Sequence, residues 1–313
     1  MPALSSSAPG KVILFGEHAV VYGQPAIAVP ITEVAAKAII TPDPVATSGA
    51  IHITAPLINL DANYTDLPNE DPIAAAIRAT LTALNVDQPP AFKLRVTSTI
   101  PVASGLGSGA AVSVAIIRAV SAFLGNPLPD QDVSALAFEV EKLHHGTPSG
   151  IDNTVITYNA AVYYIKGKPI EKIHIAKPFG LVIADTGIST PTKETVADVR
   201  RLWESDPDPY NKIFDSIGKL AVAARSTIEE GNNVALGPLM NENHELLQKL
   251  DVSSPDLDKL VLAAREAGAL GAKLSGGGRG GNIIALAAEG HADEIKTAVE
   301  AAGARNAFIT TVK

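Results

Sequence analysis

Five of the six residues from 276 to 281 are glycine, and they lie between two short apolar runs, 272–275 and 282–287. A hairpin between two strands needs only a two-residue turn. The surplus glycine implies main chain held close to a ligand or to another loop; the other reading is a flexible tip. A second glycine segment runs Pro101, Val102, Ala103, Ser104, Gly105, Leu106, Gly107, Ser108, Gly109, Ala110, Ala111. It follows an alternating run at 92–100 and precedes a run at 108–124 that is apolar almost all round. That order reads as strand, loop and buried helix. A helix start presents unpaired N–H groups and the positive end of its dipole, which suits a phosphate, and glycines let the chain wrap a polyphosphate. The spacing is neither a Walker loop nor a dinucleotide fingerprint. A turn that only lets a helix pack closely is the alternative.

The rest of the chain frames these segments. Short strands are expected at 12–14, 26–31, 35–40 and 51–54, and a helix at 72–84 with Ile73, Ile77 and Leu81 on one face. A helix is expected at 130–144 with Asp130 as its cap. The second half carries a strand at 179–185, helices at 193–204, 212–230, 234–250 and 255–267, a helix at 290–302 and a last strand at 307–312. Strands and helices mix without strict alternation, so the fold class is α+β. A chain of 313 residues at roughly 150 per domain implies two domains. The boundary falls where Gly and Pro punctuate 168–179, which gives domains at 1–175 and 176–313.

Composition removes several functions. There is no cysteine, hence no disulfide framework, thiol nucleophile or thiolate zinc site. Lys+Arg is 25 against Asp+Glu 33, a formal charge of -8, and aromatic residues make up 4%, which opposes a nucleic-acid-binding module. The uncharged stretch 96–117 holds Pro101 and three glycines, so it does not read as a membrane span, and the first residues lack a signal peptide pattern. A cytoplasmic protein is expected.

Two further clusters carry chemistry. Ala8, Pro9, Gly10 and Lys11 are followed by Gly16, Glu17, His18 and Ala19, which can converge on a small polar ligand or form a solvated turn. Glu141 lies near a helix end, and Asp152 follows a Pro-Ser-Gly turn. One carboxylate can hold a hard cation such as Mg²⁺, and the other can orient or deprotonate a hydroxyl. His144 and His145 are adjacent, diverge on a helix, and make a poor metal pair.

Taken in order, these segments resemble the galactokinase, homoserine kinase, mevalonate kinase and phosphomevalonate kinase (GHMP) superfamily. Residues 8–23 (APGKVILFGEHAVVYG) and the HGTPSGIDN stretch ending at 153 are most similar to its mevalonate kinase branch. The resemblance implies an amino-terminal domain like ribosomal protein S5 domain 2 and a carboxy-terminal ferredoxin-like domain. It implies transfer of the ATP γ-phosphoryl group to the 5-hydroxyl of (R)-mevalonate, with Mg²⁺, in isoprenoid biosynthesis. By the same resemblance Lys11 contacts the acceptor hydroxyl, Asp152 is the base or an orienting group, and Glu17, His18 and Thr192 hold the substrate. Pro101, Ser104, Gly105, Leu106, Gly107, Ser108, Gly109, Ala110 and Ala111 cradle the ATP phosphates. Glu141 and Ser108 hold the metal, and Gly276, Gly277, Gly278 and Arg279 form the third motif. The resemblance leaves room for a homodimer.

Two departures stand out: Gly109 where the family usually has a metal-binding serine, and Arg279 inside the third motif. Arg279 either stabilises the transferring phosphate or holds a substrate that already carries a phosphate or carboxylate, which would favour a phosphorylated acceptor, or it points to solvent. Other readings are a phosphomevalonate kinase, a mevalonate 3-kinase, a diphosphomevalonate decarboxylase relative, or an idle ATP-binding sensor.

Overall fold

Apolar alternation at the amino-terminal end produces longer strands than its Gly and Pro breaks suggest. The runs expected at 26–31 and 35–40 form one strand. Its Pro30 falls between the stretch paired with one neighbour (Ala26–Ala28) and the stretch paired with another (Ala36–Pro42). Neither ladder needs the missing N–H there. The computed structural model describes residues 3–101, 105–145 and 148–313. The elements are, in order, β1 (Leu4–Phe15), β2 (Ala26–Pro42), β3 (Ile51–Ala55), β4 (Leu60–Asn63), α1 (Pro72–Ala83), β5 (Phe92–Ser98), α2 (Ser108–Phe123), α3 (Asp130–His145) and α4 (Ile151–Tyr158). There follow β6 (Val162–Tyr164), β7 (Glu171–Lys172), β8 (Phe179–Asp185), α5 (Thr192–Ser205), α6 (Pro207–Glu229), α7 (Asn233–Lys249), α8 (Pro255–Glu266), β9 (Gly271–Ser275), β10 (Asn282–Ala287), α9 (Ala292–Ala301) and β11 (Asn306–Val312). Among the described residues no helix is long and apolar enough to cross a membrane.

The chain divides into two units that are discontinuous in sequence. The first comprises Met1–Gly10, Thr32–Pro101 and Gly107–Asn159. In it the second half of β2 pairs antiparallel with β5, β5 pairs parallel with β3, and β3 pairs antiparallel with β4. Helices α1 to α4 pack on one another. Helix α2 is buried nearly all round, as its composition predicts: Ala111, Val114, Ala115, Ile116, Ile117 and Val120 are fully enclosed. Asp71 caps α1 through the N–H groups of Ile73 and Ala74, each at 2.9 Å. Asp130, expected as the cap of α3, is instead its first residue, and its carboxylate pairs with Arg118 of α2 at 2.7 Å.

The second unit comprises Lys11–Ile31, Val102–Leu106 and Ala160–Lys313. Its core is a four-stranded antiparallel sheet in the order β11-β8-β10-β9. Helices α8 and α9 pack against it, and α7 covers β9. Strands β9 and β10 are buried on both faces, which explains their unbroken apolar character. Their antiparallel register pairs Asn282 with Ser275, so the glycines of 276–281 are the connection between them.

The contact between α7 and β9 is backbone against backbone. A Cβ at Gly271 would sit 2.1 Å from the Gly237 carbonyl oxygen, and one at Gly237 would sit 2.2 Å from that of Leu270. We expect Gly271→Ala to destabilise the protein by about 1–3 kcal/mol through forced separation of helix and strand. Thermal melts should then show a fall of several degrees, and an unchanged melting temperature would show that the contact is slack.

Candidate functional site

Three segments distant in sequence meet within the second unit. The N–H of Lys11, on β1, donates to the carbonyl of Leu106 at 3.0 Å, which joins the first cluster to the phosphate-type loop. The Gly276 Cα faces that loop: a Cβ built there would lie 3.9 Å from the Gly105 oxygen. The His18 ring Nε2 donates to the Gly277 carbonyl at 3.0 Å, which joins the first cluster to the third motif. The Ser275 hydroxyl adds a further tie, donating to the Ile13 carbonyl at 2.9 Å and accepting from its N–H at 3.1 Å. The glycines of 276–281 are thus not a flexible tip. A side chain at Gly277 would strike Thr192 Oγ1 at 2.8 Å, and one at Gly278 would strike the Val252 oxygen at 1.9 Å. This places Thr192, at the start of α5, directly over the third motif.

Glu17 and His18 follow Gly16, whose φ of +97° and close approach to Ala26 admit no side chain. His18 itself holds a left-handed φ of 60°, a conformation seldom kept without surrounding constraint. Its ring is buried, and burial lowers its pKa to about 4 against the weaker opposing effect of the Gly277 carbonyl. The ring is therefore neutral at physiological pH, with its proton on Nε2, the tautomer assigned by that bond. Glu17 is buried too, and its carboxylate forms an ion pair with the Lys273 ammonium from β9. Lys273 also donates to the Leu274 carbonyl at 2.7 Å. Burial pushes the Glu17 carboxyl up and the Lys273 ammonium down; each is partly offset by the other's charge, and Lys11 adds to the offset at Glu17. Lys11 is 4% exposed, an unusual setting for a lysine.

Arg279 takes neither of the two orientations expected of it. Its Nη1 pairs with Asp198 of α5, its Nη2 with Asp251 at 3.0 Å, and its Nε donates to the Asp251 carbonyl at 3.0 Å. Its own N–H donates to Val252 at 2.8 Å and its carbonyl accepts from Thr190 at 3.0 Å. The guanidinium is thus engaged on all three nitrogens as a brace between the third motif, α5 and the end of α7. It holds the Asp198 carboxyl below the usual range.

The first unit carries the other expected groups. Helix α2 starts at Ser108 behind Gly107, at φ +76°, and no side chain caps it. Its first N–H groups are therefore available to an anion. Gly109 is exposed and a Cβ there meets nothing within 4 Å, so the missing serine is not excluded by space. Glu141, in the last turns of α3, is 8% exposed. Asp152 lies in the first turn of α4, which follows Gly150 (φ +89°). That turn is anchored where Asn153 Nδ2 donates to the Ser134 carbonyl at 3.0 Å and hydroxyl at 2.9 Å. Helices α2, α3 and α4, which carry Ser108, Glu141 and Asp152 respectively, pack on one another. A phosphate-bound Mg²⁺ needs only one or two protein oxygens, and a largely buried carboxylate such as Glu141 is of the type that meets this need. Among the described residues no cluster of three or more acidic or histidine side chains forms a separate metal site. Ser104 and the side chains of His144 and His145 lie outside the described residues.

Lys273 lies in the short apolar run 272–275, which the sequence analysis treats only as a strand flanking the glycines. The available signal was a lone lysine in a strand otherwise apolar. Asp198 and Asp251 carried no signal at all.

Residues 72–161 match the GHMP kinases N terminal domain and residues 224–305 match the GHMP kinases C terminal family. The chain is 40% identical over 319 residues to a mevalonate kinase of Thermococcus sibiricus, with 95% of this chain and 93% of that one covered. It is 41% identical over 325 residues to a mevalonate kinase of Pyrococcus abyssi, covering 97% and 94%. The structure of an L. major mevalonate kinase in complex with R-mevalonate matches with a TM-score of 0.85 at 33% identity, covering 99% of this chain and 95% of that one.

A group whose folded pKa lies below its unfolded value binds fewer protons when folded, so stability is full above about 6.5 and falls as pH drops toward 4. His244 behaves like His18, being lowered to about 4 by burial against the opposing charge of Asp258. Thermal melts from neutrality down to about pH 4 should lose on the order of 3 kcal/mol per histidine. His18→Asn, which tolerates the left-handed backbone, should remove one share of that slope. A slope left intact by this variant would show that His18 is protonated as readily folded as unfolded.

Proposed function

This chain belongs to the GHMP kinase family, and we propose that it is an ATP-dependent kinase that phosphorylates the 5-hydroxyl of (R)-mevalonate in the mevalonate pathway. The observation that carries the reading is the meeting of the three segments: Lys11 on Leu106, Gly276 against Gly105, and His18 on Gly277. Phosphoryl transfer requires an aligned acceptor and a held polyphosphate more than it requires covalent chemistry. In this proposal the main chain of 105–109 and the start of α2 hold the phosphates. Glu141 and Ser108 hold Mg²⁺, which neutralises phosphate charge. His18, Glu17 and Thr192 hold the acceptor. The acceptor oxygen attacks the γ-phosphorus, the bond to the β–γ bridging oxygen breaks, and ADP leaves. The hydroxyl proton goes to Asp152, and the Lys11 ammonium favours alkoxide character at the acceptor. The proposal includes residues 1–175 as the ATP-binding domain, 176–313 as its partner domain, and a cytoplasmic setting.

The reason to favour an already phosphorylated acceptor was Arg279. Its guanidinium is committed to Asp198 and Asp251, so that support is gone.

Steady-state ADP release should be seen with mevalonate and be at least about a hundredfold weaker with 5-phosphomevalonate, a difference of roughly 3 kcal/mol in transition-state binding. Turnover confined to the phosphorylated acceptor would overturn the assignment. Lys11→Met and Asp152→Asn should each lower kcat by several orders of magnitude with ATP affinity little changed. A near-normal rate in either would remove that residue from the chemistry.

A further inference from the structure

Helix α5 starts over the third motif, yet it has little apolar anchorage. Of its 14 residues only Thr195 and Val199 are buried, and no side chain caps its first turn. Its far end is held by Trp203, whose ring lies 5.3 Å from that of Tyr22, and Tyr22 stacks on Phe214 of α6 at 4.0 Å. Its near end, which carries Thr192, is held by polar contacts to the glycine loop. The Thr186 N–H donates to the Gly281 carbonyl at 2.9 Å, the Gly281 N–H to the Ile188 carbonyl at 2.8 Å, and the Thr190 hydroxyl to the Arg279 carbonyl at 3.0 Å. The Arg279 guanidinium adds the contact to the helix itself, an ion pair with Asp198, under two turns beyond Thr192. We propose that Arg279 is a positioning residue for the acceptor: by tying Asp198 to the third motif it fixes the start of α5, and so holds the Thr192 hydroxyl over Gly277 where the acceptor binds.

Two observations support this beyond the pair itself. Asp198 also pairs with Arg201 at 2.8 Å, but that contact lies within α5 and cannot join the helix to the loop. Arg279 does so from a left-handed φ of 57°, between glycines that also hold positive φ. Glycine would take that conformation without steric cost, so what this position gains from arginine is its side chain. The pair is 28–29% exposed, so its contribution to global stability is small and its effect is on where α5 begins.

The inference rests on the acceptor role proposed for Thr192, and the experiment separates the two. Wild type, Arg279→Met, Asp198→Asn, Asp251→Asn, Thr192→Val and the double variant Arg279→Met/Thr192→Val are assayed with mevalonate and ATP, with melting temperatures recorded. Thr192→Val and Arg279→Met should each raise the KM for mevalonate about tenfold, the scale of one hydrogen bond to the substrate, with the KM for ATP little changed. Asp198→Asn should raise it in the same direction. Asp251→Asn should raise it less, because Asp251 follows α7 and is no part of α5; asparagine keeps its left-handed backbone at φ 59°. The double variant should match Thr192→Val, since Arg279 acts through Thr192, and melting temperatures should stay within about 3 °C of wild type. Effects that multiply in the double variant, or an Arg279→Met that lowers the melting temperature and leaves the KM for mevalonate unchanged, would overturn the inference. A Thr192→Val with wild-type KM removes Thr192 from the acceptor site and the inference with it. If Arg279→Met does not fold, Asp198→Asn, which leaves the guanidinium on Asp251, takes its place in the cycle. A wild type inactive on mevalonate refutes the proposed substrate, and the same proteins are then compared on whichever acceptor it phosphorylates, with the same outcomes deciding.

Discussion

The buried ion pair between Lys273 and Glu17 organises the second unit. Lys273 and Glu17 are 256 positions apart in sequence, and both side chains are withdrawn from water. Desolvating two charges costs several kcal/mol per ion, so the pair persists only because the surrounding backbone leaves neither partner an alternative. That requirement fixes β9 against the segment from Lys11 to His18. Once β9 is fixed, the loop at 276–281 has one path available, over Gly105 on one side and beneath Thr192 on the other. The arrangement of the site follows from where one lysine must go.

The loop is then locked from outside by a second set of charges of a different character. Arg279, at φ 57°, ties the loop to Asp198 and Asp251, with its side chain 29% exposed. Half-exposed pairs are screened by salt and contribute little individually. Their value here is geometric, because the planar guanidinium engages two carboxylates and a carbonyl at once. The inner pair sets the position, and the outer one limits excursions of the main chain that the glycines would otherwise allow.

Much of this was legible in the sequence, and the reasons differ by element. The expected helices at 193–204, 234–250 and 255–267 match α5, α7 and α8 to within one residue and that at 212–230 starts five residues inside α6, because long amphipathic stretches leave a strong periodic signal. The glycine segments, Glu141, Asp152 and Lys11 stand out by pattern and resemblance, and their roles belong to the proposed function. Helix α4 was hidden, because its eight residues begin behind a Pro-Ser-Gly turn that reads as loop. The continuity of β2 was hidden at 32–34, where Thr32 and Glu33 interrupt the apolar run. The partners of Arg279 and Lys273 were out of reach for a different reason. Charge pairing across long separations is decided by tertiary packing, and no local pattern encodes it.

The neutral His18 ring has a consequence for what could hydrogen-bond to it if it holds the acceptor as proposed. With its one hydrogen given to the Gly277 carbonyl, the remaining nitrogen carries only a lone pair. Any molecule that approaches it must bring its own hydrogen, as an alcohol does and a fully ionised oxyanion does not. A main-chain oxygen in a glycine loop thereby sets the polarity of a side chain from the far end of the sequence.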